Sequence, residues 1–107
     1  MTKVFISQPT RDRDNDDIEY ERNRIRSKVG DLFADAVIID SFFDFGELEV
    51  KNEPLYYLGE SLCCMSEADL VVFALNWETA RGCIIEHECA EKYGIEILYY
   101  KDLINNN

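Results

Sequence analysis

Leu70-Val71-Val72-Phe73-Ala74-Leu75 is an unbroken run of six apolar residues, preceded by Asp69 and followed by the polar Asn76. A run of this kind, with no wet residue at every second position, reads as a strand covered on both faces, the habit of a parallel sheet. Parallel neighbours need long crossovers, and the flanking sequence supplies them. Ahead of the run, Pro54 suits a first helical turn, and Leu55, Leu58, Leu62 and Met65 follow at helical spacing until Ser66 to Asp69. Behind it, the loop Asn76 to Ala80 leads to a helix from about Arg81 that Gly94 stops, and Ile95 to Tyr100 forms a last strand.

The first half repeats the alternation. Lys3 to Ser7 is a short strand broken by Gln8-Pro9, followed by a polar loop to Asn15. From about Asp16, Ile18, Ile25, Val29, Leu32 and Phe33 recur at three-, four- and seven-residue intervals, which predicts an amphipathic helix. Its acidic start and its later Arg22, Arg24, Arg26 and Lys28 complement the helix macrodipole. Ala36 to Asp40 is another continuous apolar run, and Ser41 to Glu53 is a polar and aromatic loop. Lys101 to Asn107, ending in three asparagines, is expected to be a frayed tail. The order β-α-β-α-β-α-β predicts one α/β domain over residues 1–107. It is a three-layer, flavodoxin- or Rossmann-like parallel sheet of about four strands with helices on both faces.

The 107 residues carry 11 basic and 22 acidic side chains, a net charge of −11, with an isoelectric point near 4.4. Such a balance argues against a binder of nucleic-acid polymers or anionic membranes, which need a surplus of Lys and Arg. The excess is uneven: residues 1–28 hold seven basic and six acidic groups, and residues 29–107 hold four and sixteen. Any anion is therefore expected at the N-terminal part. The first residues lack the apolar core and cleavage site of a signal peptide, and no stretch approaches the ~18 apolar residues of a spanning helix. A soluble, cytoplasmic protein is the expectation. Cys63, Cys64, Cys83 and Cys89 match neither a zinc pattern nor a disulfide framework and read as reduced thiols, with no metal or cofactor implied.

Ligands of such sheets bind at the carboxyl ends of the strands, where the strand order reverses. The first of these loops holds Ser7, Gln8, Pro9, Arg11 and Arg13 ahead of a helix N-terminus. It is either a phosphate-holding loop or a solvated polar one. The second holds Asp40, a position that often meets a ribose hydroxyl, beside Phe42 and Phe43, which cover the core or line a pocket or subunit contact. The third, with the helix after it, reads Trp77-Glu78-Thr79-Ala80-Arg81-Gly82-Cys83-Ile84-Ile85-Glu86-His87. Helical spacing puts Gly82, Ile85, Cys89 and Tyr93 on an inward stripe with Glu86 at its border, a partly desolvated position for acid/base or nucleophilic work. Trp77 is either a base-stacking group or a lid on the core, and Arg81 and Gly82 begin the same helix. Asp69, at the opposite edge, reads as structural.

Several of these segments resemble a family of small bacterial and phage proteins of unknown function: Phe5-Ile6-Ser7-Gln8-Pro9, Ile39-Asp40-Ser41-Phe42-Phe43, Pro54 to Gly59, Ala68 to Phe73 and Trp77 to Ala90. That family is in turn similar to the nucleoside 2-deoxyribosyltransferases, through the strand order and a Gly-x-x-x-Glu-x-x-x-Ala spacing. The resemblance implies that Glu86 is a nucleophile. It attacks the anomeric carbon of a 2-deoxyribosyl group, expels the base and leaves a glycosyl-enzyme for a second base or water. It places Gln8 near the sugar or base, and implies a homo-oligomer. This chain has Phe5 where those enzymes have a tyrosine, and Ala80 where they often have an aspartate. The alternative to an enzyme is a non-catalytic binder of a nucleotide derivative in the same pocket, through Arg11, Arg13, Trp77 and Arg81.

Overall fold

Side chains of β1 (Thr2–Ser7) alternate between two separate cores, and this alternation sets the three layers. A computed structural model of the protein describes residues 1–41 and 46–105. Val4 and Ile6 point to one face, where they meet Ile25 and Val29 of α1 (Asn15–Leu32) and Leu70 and Val72 of β3 (Leu70–Phe73). Phe5 points to the other, among Met65 of α2 (Glu53–Met65), Val71, Phe73 and Ala90 of α3 (Arg81–Lys92). Ser7 shares the parity of Phe5. The hydroxyl that ends β1 is thereby delivered to the α2/α3 face.

The sheet is parallel throughout, in the order β2-β1-β3-β4, with β2 at Ala36–Ile38 and β4 at Glu96–Tyr99. The chain steps outward from β1 to β2, returns across β1 to β3, and continues to β4. Because the first step runs opposite to the later two, crossovers of one hand must put α1 on one face and α2 and α3 on the other. The two cores show that distribution. Strand order reverses between β1 and β3, so their carboxyl ends, Ser7 and Phe73, flank the crevice where such sheets bind ligands.

Local chemistry fixes the helix ends. Asp14 caps α1 by accepting from the Asp17 N–H at 2.9 Å, and Asn52 caps α2 by accepting from the Leu55 N–H at 3.0 Å. At the end of α3 the Ile95 N–H reaches the Ala90 carbonyl and the Gly94 N–H reaches that of Glu91, a Schellman turn that needs the positive φ of Gly94. Asp69 accepts from the Lys3 N–H at 2.8 Å at the amino edge, a structural tie far from the crevice.

Three expectations are corrected. The run Ala36 to Asp40 pairs only over Ala36–Ile38 and lies at the sheet edge, where Val37 is 46 % exposed, so it is not covered on both faces. The expected frayed tail is instead a short helix, α4 (Tyr100–Asn105). Tyr100 is buried, and Leu103 and Ile104, three and four residues on, pack against the α1-side core. Tyr93, placed on the inward stripe of α3, is 83 % exposed, because the buried face runs through Cys83, Glu86 and Ala90. Among the described residues no helix is long and apolar enough to cross a membrane.

Candidate functional site

Glu86 lies on the central line of the buried face of α3 and not at its border, 6 % exposed. The helix crosses the sheet beside the ends of β1 and β3, and small neighbours, Gly82 and Ala90, flank the carboxyl one turn to either side. Ser7, turned to this face by strand parity, donates its hydroxyl to Glu86 Oε1 at 2.6 Å. This short bond joins residues 79 apart in sequence across the switch-point crevice. Burial pushes the Glu86 carboxyl up to about 7, against the opposing pull of the Ser7 hydrogen bond, which favours the charged form. A carboxyl titrating near neutrality is available as both acid and base, and as a strongly basic nucleophile once ionised. Cys83, one turn ahead, is buried too. Its thiol rises to about 11, chiefly through burial, and is inert as a nucleophile at neutral pH.

The first loop is braced and only partly open. The Gln8 amide donates to the Ile18 carbonyl and to Glu21 Oε1, both at 2.9 Å, while its own Oε1 is buried without a partner. Arg13 forms an ion pair with Glu21 at 2.8 Å and donates to the Pro9 carbonyl at 2.9 Å. Arg13 and Pro9 therefore hold the loop against α1, and Arg13 is committed to a carboxylate. Arg11 is exposed. Asp40 follows β2 at the same edge, also exposed. Phe42 and Phe43 lie outside the described residues.

Trp77 lies in a 3-10 turn (Trp77–Thr79), and its ring stacks on His87 at 4.3 Å and 13° and, more loosely, on Tyr99. His87 Nε2 lies 2.7 Å from the Tyr99 hydroxyl and Nδ1 3.3 Å from Glu91, so both ring nitrogens are engaged. This aromatic stack closes over Phe73 and forms one wall of a depression of about 150 Å³ with Asn76, Glu78 and Lys101. The depression does not contain Glu86. Ser7, Gln8 and Glu86 are thus gathered at the ends of β1 and β3, whereas Trp77 stands off toward β4. Arg81 opens α3, exposed, and a methyl at Gly82 would meet only Leu58 at 4.0 Å, so no steric demand requires that glycine.

One charged residue that the sequence reading assigned to the helix macrodipole is buried. Arg22 occupies the inward stripe of α1 between Ile18 and Ile25, 5 % exposed. The signal was the seven-residue gap in the apolar periodicity, which helical geometry fills with position 22. Among the described residues no cluster of His, Cys, Asp and Glu is arranged to hold a metal ion. No family model matches the chain, nor does any curated protein or solved structure.

Proposed function

We propose that the protein transfers or hydrolyses the N-glycosidic bond of a deoxynucleoside or nucleotide, with Glu86 as nucleophile. The observation that carries this reading is the buried Glu86 carboxyl, held by the Ser7 hydroxyl at 2.6 Å at the reversal of strand order. The segments that resemble deoxyribosyltransferase-like proteins support the same assignment. In the first step an ionised Glu86 oxygen bonds to the anomeric carbon as the carbon–nitrogen bond breaks, the electron pair of that bond goes to the base, and the leaving base takes a proton from solvent water. In the second, water or another base displaces the ester oxygen and restores the carboxylate. Ser7 orients the carboxyl, a task that Phe5, buried and without a hydroxyl, does not perform.

A second reading, a nucleotide-derivative binder without chemistry, is favoured by the low exposure of Glu86, 6 %, which leaves a substrate carbon little access to the carboxyl. The two separate in one experiment. The protein is incubated with deoxynucleosides and their 5′-monophosphates, free base is followed by chromatography, and Glu86→Ala is run beside it. Base release that Glu86→Ala abolishes, with a rate rising as pH passes through about 7, supports the enzyme. Absence of release, with ligand-induced thermal stabilisation kept in the variant, establishes the binder. We also infer a homo-oligomer: α2 is largely apolar, yet Met65 is its only buried residue, and Leu55 and Tyr56 are exposed. Light scattering that finds a monomer at micromolar concentration refutes this part.

A further inference from the structure

Among the described residues one buried side-chain polar atom has no hydrogen-bond partner, and it lies just past the end of β1: Oε1 of Gln8. Turning the amide over does not relieve it. The Gln8 nitrogen donates to the Ile18 carbonyl and to Glu21 Oε1, each at 2.9 Å, and both partners accept only. A reversed amide sets its oxygen against two oxygens. Glu21 is in turn fixed by Arg13 at 2.8 Å, and Arg13 by the Pro9 carbonyl at 2.9 Å. Loop, helix and ion pair therefore hold one acceptor in a single orientation without the donor that buried acceptors ordinarily find. Keeping it so costs stability, and at the edge where such sheets bind ligands the missing donor points to a group from outside the chain.

Position and charge narrow that group. Gln8 follows Ser7, and the two side chains leave β1 for opposite faces: Ser7 for Glu86 on α3, Gln8 for Ile18 and Glu21 on α1. When Glu86 attacks in line, the departing base lies on the side of the anomeric carbon away from the nucleophile, so the part of the substrate nearest the end of β1 is the sugar. Its donors are hydroxyls. The surroundings disfavour an anion: Glu21 is a carboxylate, Arg13 is spent on it, Asp17 stands one turn ahead of Glu21 on α1, and Arg11 is exposed. A phosphate here meets a carbonyl oxygen and a carboxylate, whereas a hydroxyl supplies the proton that Oε1 lacks.

We propose that Gln8 Oε1 accepts a hydrogen bond from a hydroxyl of the sugar, so that the protein takes nucleosides in which this hydroxyl is free and rejects those in which it is phosphorylated. The inference rests on the Glu86 reading for the placement of the sugar and adds to it the class of substrate.

Titration calorimetry finds the tightest bound of the four 2′-deoxynucleosides and compares it with its 2′,3′-dideoxy and 2′,5′-dideoxy analogues and its 3′- and 5′-monophosphates, on wild type and Gln8→Met. In wild type, deletion of one hydroxyl is expected to weaken binding about tenfold or more, and phosphorylation of the same hydroxyl to abolish it. In Gln8→Met that deletion is expected to cost nothing, a cycle in which any general loosening of the loop cancels. Should Gln8→Met not fold, the carbon-13 resonance of the Gln8 side-chain carbonyl in wild type reads the same contact: the nucleoside moves it downfield, and the analogue lacking the recognised hydroxyl does not. Equal binding of the nucleoside and both dideoxy analogues leaves an internal water as the partner of Oε1 and overturns the proposal. So do a deletion effect retained in Gln8→Met and binding of none of these compounds. Base release separates the proposal from the reading it rests on. Equal release from the nucleoside and both monophosphates keeps Glu86 and removes the role of Gln8. Gln8-dependent and hydroxyl-dependent binding without release keeps Gln8 and removes the reaction.

Discussion

Replacing Glu86 by glutamine tests the physical core of the site without any knowledge of the substrate. Burial raises the carboxyl from an ordinary 4.5 to about 7. Below pH 4.5 the group is protonated in folded and unfolded chains alike, and it has no effect on the balance. Between 4.5 and about 7 the unfolded chain releases the proton while the folded one keeps it, so stability falls as pH rises. Above about 7 both forms are ionised and the full penalty is present. A displacement of roughly 2.5 pH units at about 1.36 kcal/mol each amounts to about 3 kcal/mol. Glutamine has the same shape, and its Oε1 still accepts from Ser7, so Glu86→Gln removes the ionisation and little else. Its stability advantage over wild type should be near zero at pH 4.5 and grow to about 3 kcal/mol at pH 8. For a domain of this size that corresponds to a Tm difference on the order of 10 °C. Urea unfolding of the two proteins at pH 4.5, 6, 7 and 8 measures it, and the other carboxylates cancel in the difference. A difference that is flat across this range, or that favours wild type at pH 8, would refute the reasoning.

Three further outcomes follow from the same geometry. Ser7→Ala removes the donor that favours the ionised form, so the Glu86 midpoint in a carboxyl carbon-13 NMR titration should move up; an unchanged or lower midpoint shows that the 2.6 Å bond does not govern the group. Iodoacetamide followed by peptide mass spectrometry should modify exposed Cys63 first and Cys83 last, since Cys83 is buried and its thiol is pushed up to about 11; early loss of Cys83 contradicts the packing of α3. Leu103→Ala together with Ile104→Ala should cost about 2 kcal/mol in urea unfolding, as both half-buried side chains leave the α1-side core, whereas a loose tail predicts no change.

The layers were legible because each strand is an unbroken apolar run and each long helix shows a repeating stripe. Where the reading slipped, the cause was a contact made elsewhere in the chain. Tyr100, Leu103 and Ile104 carry helical spacing, but over one turn and a half, too short to stand out against the asparagines that follow. Ala36 to Asp40 looks like a central strand, and only the sheet order shows it to be an edge. On α3, a stripe drawn through Tyr93 is displaced by a fraction of a turn and puts Glu86 at its margin. The Schellman turn at Gly94 in fact places Tyr93 beyond the last helical residue. Glu86 stands out in sequence through its motif and its place beside the apolar stripe, and the fold buries it more deeply than that place implies. That Ser7 holds it was not legible, because strand parity and sheet register bring together residues 79 apart. Arg13 shows the converse: its sequence position suits an anion, but its loop commits it to Glu21.

Arg22 shows the limit of a charge pattern read along one helix. Its sequence position complements the macrodipole, yet the fold buries the residue, with Asp40 and Glu19 as the attracting charges around it. The proposed reaction develops positive charge at the anomeric carbon, and the buried Glu86 carboxylate is the charge that would face it.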